Sequence, residues 1–240
     1  MIKLSPRLDA CATFVRDGGV VIDVGTDHGY LPCYLVSEGK CARAYACDIA
    51  EGPLSSAREH ILQSGLEDKI TAVLSDGLLG LDDEAAMGAT DIVIAGMGGE
   101  LIADILSKGI EAKKLICSLS SSARLILQPN SKAAFLRRFL AENAYEILSE
   151  TAVRDGRFIY VVICAEFTGK ADWPSLLEAT VGKLDPRDPT AREYLEKEAD
   201  KLRTAARGMA AASAEMSKKH ADELICLAEG IENYVKENSK

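Results

Sequence analysis

The sequence has no C-x-x-C pair, only three scattered histidines, and no apolar run that approaches a membrane span. Seven cysteines stand at positions 11, 33, 41, 47, 117, 164 and 226, and His28, His60 and His220 make no ligand pattern with them. That spacing argues against a zinc module, so no metal is expected and the thiols are read as buried rather than cross-linked. The longest apolar run, Phe158 to Ala165, is far shorter than the about 18 residues a bilayer demands. Met1-Ile2-Lys3-Leu4-Ser5-Pro6 lacks the apolar core of a signal peptide, and a cytoplasmic location is expected. Aromatics are sparse at 5%, yet a hydrophobic fraction of 48% is ordinary for an α/β protein and excludes a disordered one. Positive charge is short as well, because 28 Lys and Arg against 37 Asp and Glu leave a net -9. A nucleic-acid partner therefore requires the basic residues to be gathered on one side.

What is present is organised around Val20-Val21-Ile22-Asp23-Val24-Gly25-Thr26-Asp27-His28-Gly29-Tyr30-Leu31. An apolar run broken only by Asp23 opens onto two glycines, then takes helical spacing through Leu31, Tyr34 and Leu35. This reads as a buried parallel strand, a tight turn and a crossover helix, and ligands bind at the carboxyl ends of such strands. Ahead of it, Ser5-Pro6 starts a helix that Gly18-Gly19 ends. Further strands are predicted at Arg43–Cys47, Ile70–Leu74, Asp91–Ala95 and Leu125–Leu127, with helices at Gly52–Gly65, from Leu101, and at Lys132–Ala141. Tyr145–Glu150 and Phe158–Glu166 close the series as a hairpin across Asp155-Gly156. The predicted fold is α/β: a doubly wound, mostly parallel sheet with an antiparallel edge hairpin. The Ser118–Ser122 run is open to a loop reading.

After Phe167 the character changes. Gly169, Pro174, Pro186 and Pro189 punctuate a linker with a short helix at Ser175–Lys183. No proline follows from Thr190 to Lys236, and apolar residues recur at helical spacing in two stretches. These predict an antiparallel coiled-coil hairpin turning at Gly208 or Ser213. Residues 1–167 are thus expected to form a ligand-binding domain and residues 168–240 a helical arm, which either packs or dimerises, or else binds a partner.

Glycine turns of this kind serve both NAD(P) and S-adenosylmethionine, so the acidic residues must discriminate. A diphosphate seeks bare N–H groups at a helix N-terminus and would be repelled by Asp23 and Asp27. S-adenosylmethionine is cationic and free of phosphate, so carboxylates there are favourable. Asp48 ends the second strand where ribose hydroxyls would bind, and Asp76 ends the third where an adenine amine would. Any one of these aspartates could instead cap a helix or a turn; three in succession favour the cofactor. The candidate cofactor residues are Asp23, Gly25, Thr26, Asp27, His28, Gly29, Leu31, Asp48, Ile49, Asp76, Gly77, Gly96 and Met97.

The segments Leu4-Ser5-Pro6-Arg7-Leu8, Asp27-His28-Gly29-Tyr30-Leu31-Pro32, Gly96-Met97-Gly98-Gly99 and Leu127-Gln128-Pro129-Asn130 together closely resemble the bacterial tRNA (adenine-22-N1)-methyltransferase family. The resemblance covers residues 1–165 by motif and the tail by architecture. It implies a class I methyltransferase (Rossmann-like) fold, S-adenosylmethionine as donor, and N1 of a D-arm adenine in tRNA as acceptor. Asp48 stands where relatives often carry Glu, which preserves the chemistry. Adenine N1 attacks with its own lone pair, so the enzyme must position the base and accept the charge or amine proton that results. Asp27, beside the sulfonium, is the candidate for that role, with a helix cap as its alternative. His28 is adjacent and could touch either the cofactor or the base. Met97 can pack on an adenine face, and Gln128 and Asn130 could either read the flipped base or brace the loop around Pro129.

The basic residues Arg124, Lys132, Arg137 and Arg138 flank the fifth strand, and Arg154 and Arg157 flank the hairpin. Lys197, Lys201, Arg203, Arg207, Lys218 and Lys219 are expected to crowd the tip of the arm, so tRNA is expected along that side. No membrane partner is expected, and the oligomeric state is left open with a monomer favoured. The rival readings are a methyltransferase of the same fold acting on another RNA position or a small molecule, and a non-catalytic binding module. An NAD(P) enzyme is disfavoured by the acidic first turn and the missing G-x-G-x-x-G.

Overall fold

The structure, a computed structural model, describes residues 2–115, 123–210 and 215–239. Helix α1 (Pro6–Phe14) leads into β1 (Gly19–Val24), α2 (Tyr30–Ser37) and β2 (Cys41–Asp48). Then come α3 (Glu51–Gln63), β3 (Ile70–Leu74), α4 (Asp83–Gly88), β4 (Asp91–Gly98) and α5 (Gly99–Glu111). The sheet is completed by β5 (Arg124–Ser131), α6 (Ala133–Glu142), β6 (Tyr145–Asp155) and β7 (Phe158–Phe167). Its order is β3-β2-β1-β4-β5-β7-β6, with β7 antiparallel to both neighbours and the other pairings parallel.

The central strands β1, β4 and β5 are largely apolar because both faces are covered. Ile22, Val24, Ile92, Ile94, Leu125 and Leu127 point to one layer, where α5 and α6 supply Ile102, Leu106, Leu136 and Leu140. Val21, Val93 and Ile126 point to the other, against Cys11, Ala12 and Val15 of α1 and Leu31 and Leu35 of α2. A third cluster joins Ala152 and Val161 of the edge hairpin to Leu195 and Ala199 of α8 (Pro189–Ala210) and Ala228 and Ile231 of α9 (Glu215–Asn238). Those two helices form the C-terminal hairpin. Pro189 suits the first turn of α8, and the preceding Asp188 accepts from Thr190 N at 2.6 Å and Ala191 N at 3.3 Å.

Several expectations need correction. Strands β4 and β5 run past Ala95 and Leu127 to Gly98 and Ser131, because register shifts around Gly96 let pairing continue where the glycines suggested a loop. Helix α4 was not predicted, although Asp82 caps it by accepting from Ala85 N at 2.7 Å. Gly208 lies within α8 and makes no turn; Ser213 lies outside the described residues, as do Cys117 and the Ser118–Ser122 run. Cys226 is exposed, whereas the other five described cysteines are buried. Three of the six arm cations expected at the tip are paired with carboxylates. Lys197 pairs with Glu193 at 2.9 Å, Lys201 with Glu198 at 2.5 Å and Arg203 with Glu232 at 2.8 Å, all along the helices rather than at a tip.

One ion pair fastens the C-terminal helices to the sheet. The side chains of Arg137 on α6 and Glu150 on β6 are 2% and 0% exposed and meet at 2.7 Å. Arg137 Nη1 also donates to the carbonyls of Ala179 and Thr180 in α7 (Leu176–Val181), and Glu150 accepts from Lys183 N at 2.8 Å. Arg137→Met would strand a buried carboxylate and two carbonyls, a defect that costs about 3–5 kcal/mol. Urea unfolding of that variant is expected to show this loss; a midpoint equal to wild type would refute it.

Candidate active site

The site lies where the sheet reverses direction, between β1 and β4, at the carboxyl ends of the strands. Gly25 N and Thr26 N donate to the Cys47 carbonyl at 2.8 and 2.9 Å, which folds the turn back over β2. Gly25 has φ of +75°, and a Cβ there would lie 2.1 Å from Met97 Cε. The positive φ favours glycine there, and Met97 stands against the turn from the β4 side. Asp27 takes a left-handed φ of +54°, which turns its carboxylate outward to 68% exposure. His28 is 3.6 Å from it and packs against Tyr30, while His60 Nδ1–H donates to the His28 carbonyl at 3.1 Å.

Asp23 is 4% exposed, and its Oδ2 accepts from Thr26 Oγ1 at 2.7 Å. Burial pushes its carboxyl up to about 6; the Thr26 hydrogen bond opposes this, and the charge of Asp48 adds to it. Asp48 is braced by Ala50 N at 2.9 Å and Asp27 N at 3.2 Å. Ile49 beside it is 68% exposed. Asp76 is half exposed with Lys108 Nζ at 3.8 Å, and Gly77 is buried next to it with φ of +59°.

On the opposite side, Gln128 Oε1 accepts from Gly96 N at 3.0 Å, and Gln128 Nε2 donates to Asn130 Oδ1 at 3.1 Å. Asn130 Nδ2 donates to the Gly96 carbonyl at 2.7 Å. The ring of bonds replaces ladder bonds at the bulge, where Pro129 has no N–H to give. Gln128 is fully buried with both amide ends engaged, and the partner it braces is Gly96 of β4 rather than the loop at Pro129. Asn130 is exposed.

The turn, Asp48, Ile49, Gly96 and Met97 therefore converge on one region, with Asp76 at its β3 margin. Leu31 does not, because its side chain is 2% exposed in the core beneath α2. A residue that sequence reasoning passed over stands here too. A Cβ on Gly96 would lie 3.3 Å from Arg7 Nη1, so the guanidinium of α1 sits above that glycine. Its place beside Pro6 at the helix start was the available signal. A cleft of about 840 Å³ lined by Tyr145, Phe167 and Trp173 lies at the other edge of the sheet, where β6 begins and β7 ends, away from these groups. The donor set suits a cationic nucleoside without phosphate: a carboxylate whose burial pushes its carboxyl up to about 6, two further strand-end carboxylates, and a glycine turn of positive φ.

Comparison with known proteins agrees. A family model described as a methyltransferase domain matches residues 4–163. The tRNA (adenine(22)-N(1))-methyltransferase of Bacillus subtilis is 39% identical over 166 residues, covering 69% of this chain and 66% of that protein. The crystal structure of the B. subtilis m1A22 tRNA methyltransferase TrmK superposes with a TM-score of 0.85 at 32% identity, covering 98% of this chain and 100% of that one. M. capricolum TrmK in complex with S-adenosyl-homocysteine gives 0.80 at 25% identity, covering 98% and 99%. The fold is thus shared along nearly the whole length, and the chain belongs to the methyltransferase-domain family, among the tRNA (adenine-22-N1)-methyltransferases.

Proposed function

We propose that the protein transfers a methyl group from S-adenosylmethionine to N1 of adenine 22 in tRNA. The observation that carries this reading is the buried Asp23 beneath the Gly25 turn, a carboxylate whose environment calls for a cation. Asp23, with Asp27 beside it, would hold the cationic methionine end; Asp48 would accept from ribose hydroxyls; Ile49 and Asp76 would flank the adenine. When bound, S-adenosylmethionine supplies an electrophilic methyl group on a sulfonium. The other half of the site handles the base. The ring formed by Gln128, Asn130 and Gly96 fixes a strip of backbone without side chains, against which a flat base can lie, and Met97 offers a soft apolar contact. N1 sits on the Watson–Crick edge, so the base must leave its pair first. The exposed Asp27 carboxylate accepts from the exocyclic amine as positive charge develops on the ring, and His28 orients it.

Three outcomes test this. The protein is expected to methylate a tRNA transcript with adenine at position 22 and to lose the product when that base is guanine; equal labelling of both would sink the assignment. Asp27→Ala is expected to lower kcat about 100-fold, within the span of positioned acid–base catalysis, with S-adenosylmethionine affinity changed only severalfold. A full rate in this variant would remove Asp27 from the chemistry. The third outcome is a pH dependence. A bound cation favours the ionised Asp23, whereas the free site binds a proton below about 6. Binding at lower pH must therefore expel that proton, so affinity rises from pH 5 to 7 and then levels. Calorimetry of wild type against Asp23→Asn reads it: the variant binds weakly with a flat profile, and a flat wild-type profile would contradict the role.

A further inference from the structure

Substrate placement must come from a surface that the acidic turn cannot provide. The β6–β7 hairpin offers one. Strand β6 runs parallel to β5, so its far end, Asp155, lies at the same edge of the sheet as the site, and the turn at Gly156 projects there. Arg157 Cζ stands 4.8 Å from the centre of the Phe158 ring, which is 51% exposed. Phe158 and Tyr160 share one face of β7, with ring centres 6.1 Å apart. Arg7 lies over Tyr160 at 5.9 Å, is held by Asp155 at 3.7 Å, and reaches Gly96. Guanidinium and aromatic groups thus form a continuous track, Arg157–Phe158–Tyr160–Arg7, from the hairpin tip to the strip where the base would lie. Arg154 is not part of it, because Glu193 of α8 neutralises it.

We propose that this track binds unpaired nucleotides beside the target adenine and guides that base to Gly96. The inference rests on the tRNA reading above and names the surface that serves it. Rings accept a base by stacking whatever its sequence, and guanidinium groups meet the adjoining phosphates or stack on the bases themselves. Both are needed for a nucleotide extruded from a folded RNA.

The full-length protein and a fluorescent tRNA transcript with adenine at position 22 provide the test, by anisotropy across a salt series. Phe158 is half exposed at a turn, so its replacement leaves the fold intact. Phe158→Ser is expected to raise the tRNA Kd about tenfold or more, with S-adenosylmethionine Kd and Tm unchanged. Phe158→Trp is expected to restore affinity to within about twofold, since a larger ring stacks at least as well. Arg157→Gln is expected to lower the slope of log Kd against log salt by about 0.7, the value of one single-strand phosphate contact. Wild-type affinity in Phe158→Ser, failure of Phe158→Trp to restore it, or an unchanged slope in Arg157→Gln would overturn the track. If wild type itself neither binds nor methylates the transcript, the tRNA reading falls; an active wild type beside an unaffected Phe158→Ser overturns the track alone.

Discussion

Asp23 is buried at the end of the innermost parallel strand, and a carboxylate in that position ionises readily only if a cation or several donors meet it. Among the described residues its side-chain donor is Thr26, and the charge of Asp48, which acts on it, has the same sign. The turn above it is consequently organised to admit a ligand rather than to satisfy the carboxylate. Gly25 and Thr26 spend their N–H groups on Cys47, and the positive φ of Gly25 keeps a side chain out of the space. Strain and unpaired charge are concentrated in a few residues that the two packed helical layers hold in place.

The opposing wall follows different chemistry. Around Gly96 the polar groups are neutral and mutually satisfied, through two amide side chains and one backbone unit. Such a wall presents a fixed surface with no charge of its own, suited to a planar base. Charge returns at its rim, with Arg7 beside Asp155 and Arg157 at the hairpin tip. On the proposed reading, a chain of net -9 hosts an RNA through Arg7 and Arg157, which stack on rings at the hairpin edge, while Asp23, Asp27, Asp48 and Asp76 lie on the cofactor side.

Much of this was legible in the residues themselves. Apolar runs survive any detail of packing, so the order of the strands could be read directly, β1 from a run buried on both faces and β3 from a short β-branched run at the sheet edge. The strand-end aspartates were legible because each follows such a run. The ends of β4 and β5 were not. Gly96 and Pro129 look like loop formers, and only the neighbouring strand, with side-chain amides standing in for ladder bonds, lets pairing continue past them. The same bonds assign Gln128 to bracing, which no count along the chain reveals. Arg203 looked free because its partner Glu232 is on the other helix, 29 residues away.

By itself, then, the sequence determined the strand–helix alternation, the glycine turn and the acidic strand ends, since each depends on residues within one element. Tertiary structure decided which groups meet. It put Met97 over Gly25, Arg7 over Gly96, and Leu31 into the core instead of the site. The physical reason is range: periodicity and turn chemistry act over a few neighbours, whereas a site is assembled from side chains whose approach is fixed by the packing of separate elements.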